Sequence, residues 1–178
     1  MIRLIALLIG LTLLLSISAS GQLRLVPMKY SKVKLVNGKH SKVVDLDEVL
    51  IGSNGSLAGN PPHKYRVLFR ASKEGFFYVV AYVRSSSPIS NPMGPCGGDR
   101  PEAILWIKAD QKFETAEFQS EIYASCSYNY YNSKLRITSS SLRAEYGGRT
   151  LKTLRYNNLS PNLGLIVTEM IEQPLKPK

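Results

Sequence analysis

Only two cysteines, two histidines and one tryptophan occur in these 178 residues, and acids are outnumbered by bases, 13 to 23. Each scarcity excludes something. His40 and His63 show no ligand spacing, and zinc on Cys96 and Cys126 would need two further ligands. No metal and no other cofactor is therefore expected. No G-x-S-x-G elbow, no phosphate-binding glycine loop and no H-E-x-x-H motif is present. A serine or cysteine nucleophile would need a histidine base, and neither histidine stands in a recognisable catalytic context. The expectation is accordingly a protein that is not an enzyme. The alternative is a polysaccharide hydrolase that works with two carboxylates. Asp99, Glu102, Asp110 and Glu121 would be its candidates, although such residues more often serve as surface ion-pair partners.

Long helical periodicity is also missing, and so is proline over two long intervals. None falls between Pro62 and Pro88, and none between Pro101 and Pro161. Proline is confined to loops and sheet edges, so these intervals are where central strands are expected. The alternation within them has period two, the strand period.

The one long apolar run, residues 4–15 (LIALLIGLTLLL), follows Arg3 and precedes small residues. It is shorter than the roughly 20 residues of a spanning helix, and the order matches a secretory signal peptide. Residues 1–20 are thus expected to be a cleaved signal, and the protein to be secreted or periplasmic. No cysteine near the cleavage site offers a lipid anchor. About 157 residues remain, enough for one domain that buries roughly 70% of its unfolded surface. The expected division is a single β-domain over 21–173 and a frayed tail at 174–178.

Export changes how the cysteines read. In an oxidising compartment an even pair is expected to form a disulfide. Cys96 lies in a loop of residues 91–101 (NPMGPCGGDRP), and Cys126 ends a strand pattern in which it would face inward. The bridge would close roughly 30 residues and stabilise the fold by roughly 3.5 kcal/mol.

Taken in order, the chain reads as hairpins. Residues 32–36 and 39–46 flank Asn37-Gly38, the strongest short hairpin signal. Val33 and Leu35 fall on one face, Lys32 and Lys34 on the other. Residues 63–72 alternate, with Tyr65, Val67, Phe69 and Ala71 inward. Lys73-Glu74-Gly75 is expected to be a three-residue loop. Residues 76–83 (FFYVVAYV) are apolar on both faces, which marks a central strand covered on both sides. Ala103, Leu105 and Ile107 oppose Ile104 and Trp106. One further strand is expected from Leu135 to Tyr146, then a turn at Gly147-Gly148, a strand over 149–156 and a last strand over 163–170. The fold class is therefore all-β: an antiparallel β-sandwich or partly open barrel of about eight or nine strands.

Two groups are candidate ligand contacts. Tyr123, Tyr128, Tyr130 and Tyr131 cluster around Cys126; their rings suit a sugar or peptide, or simply plug the end of the sandwich. Lys32, Lys34, Lys39 and Lys42 form a basic ribbon that could hold a polyanion, or guard an edge strand against unwanted pairing. The formal charge of +10 favours an anionic partner, a polysaccharide or another envelope component ahead of nucleic acid. The function expected is a binding or structural module of the cell envelope or extracellular space.

Overall fold

The computed structural model describes residues 23–29, 32–51, 64–84, 100–126, 130, 132–147 and 150–171. The expected signal segment, the tail, and Asp99, Tyr128, Tyr131, His63 and Cys96 lie outside them. Eleven strands fall among the described residues: β1 (Arg24–Pro27), β2 (Lys32–Asn37), β3 (His40–Asp45), β4 (Lys64–Lys73), β5 (Phe76–Arg84), β6 (Glu102–Asp110), β7 (Ala116–Ala124), β8 (Lys134–Ile137), β9 (Ser141–Gly147), β10 (Thr150–Asn157) and β11 (Ile166–Ile171). One short helix, α1 (Leu46–Ile51), follows β3, and a 3-10 turn, Pro161–Leu163, precedes β11.

All pairing is antiparallel, in three meanders: β1-β2-β3, β4-β5-β6-β7 and β8-β9-β10-β11. The middle sheet is the frame. On one face Phe77, Val79, Leu105 and Ile107 pack against Val33, Leu35 and Val44 of the N-terminal sheet. On the other, Tyr78, Val80, Ile104 and Trp106 pack against Leu142, Ala144, Tyr146, Leu154 and Tyr156 of the C-terminal sheet. An all-β antiparallel fold is confirmed, as is the doubly covered β5. No closed barrel forms among the described residues.

The differences from expectation have local causes. Thr138-Ser139-Ser140 splits the strand expected over 135–146 into β8 and β9. The Thr138 hydroxyl accepts from the backbone N–H of Ser140 and Ser141, the competition with strand pairing that Ser and Thr provide. Two of the expected hairpin turns shift as well. Asn37 pairs with His40, so the loop is Gly38-Lys39. Its glycine at φ +56° fits a turn needing positive φ at the first central residue. Lys73 pairs with Phe76, leaving Glu74-Gly75 as a two-residue loop with both φ positive, the I′ pattern. A bulge between Val67 and Phe69 reverses the alternation of β4. Tyr65 and Val67 therefore join the N-terminal core, and Phe69 and Ala71 the C-terminal one.

A second bulge sets Tyr123 out of the β6–β7 ladder, where Glu102 pairs Ala124 and Ala103 pairs Ile122. Strict alternation through Cys126 thus fails. Ser125 is buried, whereas Cys126 is half-buried and belongs to neither core. α1 had a legible signal that strand alternation masked. Asp45 accepts from the Asp47 N–H at 3.0 Å, and Glu48 lies three residues on, a start pattern for helices.

Candidate functional site

The outer face of the C-terminal sheet carries an arrangement that structure alone does not reward. In β9, Leu142, Ala144 and Tyr146 are buried, which turns Arg143 and Glu145 outward. Cross-strand register then aligns Arg136 of β8 with Arg143, and Arg143 with Arg155 of β10. All three are exposed. Neighbouring strands lie about 4.8 Å apart, so three like-charged residues stand side by side on one face across three strands. Like charges directly opposite destabilise a sheet. Arg143 Nη2 meets Glu145 Oε1 at 2.7 Å. Arg136 and Arg155 have no carboxylate partner among the described residues.

Beside this ladder runs an open groove of about 590 Å³, lined by Arg143, Arg155, Ser140, Ser141, Asn157, Leu159, Leu163 and Ile166 among others. Its far wall is a turn held from below. Trp106 Nε1 donates to the Pro161 carbonyl at 3.0 Å in a buried bond, and the Leu165 N–H donates to Gln119 Oε1 at 2.7 Å. The Asn158 N–H donates to the Ser140 carbonyl at 2.7 Å, and Lys73 Nζ reaches Asn162 Oδ1 at 3.2 Å. The wall is therefore fixed before any ligand arrives. Gly164 completes it at φ +67°, where an added Cβ would collide with Gln119 Oε1. Gly164→Ala is expected to cost about 1–3 kcal/mol through the left-handed backbone. Chemical denaturation checks this, and a neutral result would mean the turn relaxes.

The chemistry available is anion binding. A guanidinium presents a planar fork to carboxylate, phosphate or sulfate, and charge-assisted bonds of this kind are the strong ones. Arginines repeated across a sheet suit a ligand with several anionic groups.

The residues singled out from sequence are placed differently. Tyr123 is buried in the C-terminal core, its hydroxyl donating to Glu102 Oε2 at 2.7 Å. It is not available as a binding ring. Tyr130 is half-buried, its ring edge-on to Tyr146 at 5.1 Å. Of the lysines, Lys32 and Lys34 share the outward face of β2, and Lys32 Nζ lies 3.9 Å from Asp45. Lys39 occupies the turn. Lys42 registers with buried Leu35, hence on the opposite face. The ribbon is thus divided. His40 ends the same hairpin, paired with Asn37.

Among the carboxylates, Glu102 and Asp110 stand at opposite ends of β6, about 26 Å apart at strand rise. They cannot share one substrate bond. Asp110 instead organises its own turn, accepting from the Lys112, Glu114 and Thr115 backbone and from the Thr115 hydroxyl. These donors, Thr115 foremost, hold its carboxyl far below the usual range. Glu121 accepts from the Tyr146 hydroxyl at 2.7 Å. No group of three or more His, Cys, Asp and Glu converges among the described residues.

The tyrosines predict a response to alkali. Burial, then bonding to Glu102, pushes the Tyr123 hydroxyl far up; burial, then Glu121, does the same for Tyr146. Burial also raises Tyr82 and Tyr156, each to about 12. A phenol with a raised folded pKa keeps its proton in the fold and loses it on unfolding. Its stabilisation is complete below about pH 10, the unfolded value, and falls as pH rises beyond it. Stability should therefore decline from about pH 10, with phenolate absorbance of Tyr123 and Tyr146 appearing together with unfolding. Their ionisation in a folded chain would contradict the burial described.

Comparison with protein families, curated proteins and solved structures finds no match. Among the described residues no helix is long and apolar enough to cross a membrane.

Proposed function

We propose that this protein is an exported, non-enzymatic binding module whose C-terminal sheet holds an anionic partner of the envelope or extracellular space. One observation carries the reading: Arg136, Arg143 and Arg155 are kept in direct cross-strand register, against sheet stability, beside a groove whose wall is pinned. Rules of local stability are broken where function requires it. Export is supported by the composition of residues 1–20, and an intact mass lacking about twenty N-terminal residues tests it. In an oxidising compartment Cys96 and Cys126 would be bridged; no free cysteine occurs among the described residues.

Retention on immobilised heparin tests the binding. Arg136→Gln and Arg155→Gln should each weaken it roughly two- to fivefold, as exposed ion contacts do, and salt should abolish it. Lys32→Gln with Lys34→Gln should change it less. Equal retention of wild type and both arginine variants would defeat the proposal.

A further inference from the structure

The anionic partner has a second chemical requirement, written in the residues next to the arginines. Among the described residues, seven of the ten exposed large hydrophobic side chains fall between Ile137 and Met170. Register places three of them on the same outer face as the ladder. Ile166 pairs with Arg155, and Leu151 pairs with Met170. Leu159 and Leu163 stand on the pinned turn and are 76% and 60% exposed. Loop side chains that open to water are ordinarily mobile and polar; these leucines are apolar and their backbone is held by buried and cross-sheet bonds. The face is thus graded across the strand order. Lys134, Arg136 and Arg143 occupy β8 and β9, and Ile166 and Met170 occupy β11, with Leu159 and Leu163 alongside.

From this gradient we infer that the outer face of the C-terminal sheet docks onto the surface of an anionic phospholipid bilayer. The inference rests on the anion-binding reading above. A soluble polyanion would engage the arginines and gain nothing from Leu159, Leu163, Ile166 or Met170. A bilayer surface rewards both halves. Its phosphates and anionic headgroups attract arginines close to the surface, and its headgroup–acyl boundary takes a shallow row of apolar side chains. Exposed apolar patches of this kind, rimmed by charge, mark interaction sites on soluble folds. The contact is peripheral: strands β8–β11 lie on the surface and do not cross it.

Flotation with vesicles of phosphatidylcholine, with and without phosphatidylserine, tests the inference. Wild type and every variant carry the same N-terminus, so any contribution of residues 4–15 cancels between them. The wild type should float with the serine-containing vesicles and not with phosphatidylcholine alone. Arg136→Gln with Arg155→Gln should lower vesicle binding about fivefold per arginine. Leu151→Ser with Met170→Ser, exposed on the same outer face but outside the groove lining, should lower it comparably while leaving heparin retention unchanged. If Leu151→Ser with Met170→Ser floats as wild type does, the apolar half is irrelevant and the membrane inference falls, although anion binding stands. If the arginine variant retains both heparin and vesicles, both readings fall together. Circular dichroism of each variant, expected to match wild type, establishes that lost binding is not lost folding.

Discussion

Trp106→Ala is expected to destabilise the protein by about 3–5 kcal/mol, the cost of removing a fully enclosed aromatic side chain. Against a total of about 5–15 kcal/mol for a domain, such a loss threatens folding at physiological temperature. Trp106 is 2% exposed and stands in the C-terminal core with Tyr78, whose ring lies 6.1 Å away. It also links core to surface, since its Nε1–H is the buried donor for Pro161. Trp106→Phe separates the two roles. It keeps most of the apolar volume but leaves the Pro161 carbonyl without its donor, at about 1–3 kcal/mol. Urea unfolding followed by far-UV circular dichroism gives the totals. Hydrogen exchange at the Leu163 and Leu165 amides should accelerate beyond what the global loss explains in Trp106→Phe. Unchanged protection there would show that the groove wall does not depend on Trp106.

Cys96→Ser is expected to cost about 2–4 kcal/mol, because the proposed bridge to Cys126 restricts a loop of roughly 30 residues in the unfolded chain. Cys126 follows β7 at the bulged end, where Ser125 bridges to Tyr130. Loss of the bridge should lower the unfolding midpoint and leave the far-UV spectrum at 25 °C largely intact, since the paired strands retain two packed cores without it. Thiol titration of the denatured, unreduced exported protein decides it. No reactive thiol is the expected result, and two would remove the bridge from the account.

Much of the middle sheet was legible because burial on both faces writes itself as unbroken apolar sequence. Residues 76–83 show this directly, as do the opposed sets around Trp106. Single-residue irregularities were not legible. The bulges at Val67–Phe69 and at Tyr123 each reverse which core receives the side chains that follow, and nothing in period-two alternation announces them. Tyr123, read as either a ligand contact or a packing ring, is the latter and fills the C-terminal core. The arginine ladder was hidden by one missed turn. Once Thr138-Ser139-Ser140 is recognised as a hairpin loop, Arg136 and Arg143 fall opposite one another, and the next hairpin adds Arg155. The charges of the N-terminal ribbon were more conspicuous, being close in sequence. Pairing separates Lys42 from Lys32 and Lys34, and that proximity is lost in the fold.

The central claim is that anions bind across β8, β9 and β10, and side-chain resonances of the arginines test it most directly. Titration of isotope-labelled protein with a sulfated oligosaccharide should perturb the Arg136, Arg143 and Arg155 Nε–H signals together. The amides of Ser140, Ser141 and Asn157, which line the same groove, should move with them and reverse on adding salt. Perturbation confined to Lys32, Lys34 and Lys39, with the arginine signals unmoved at saturation, would contradict the account.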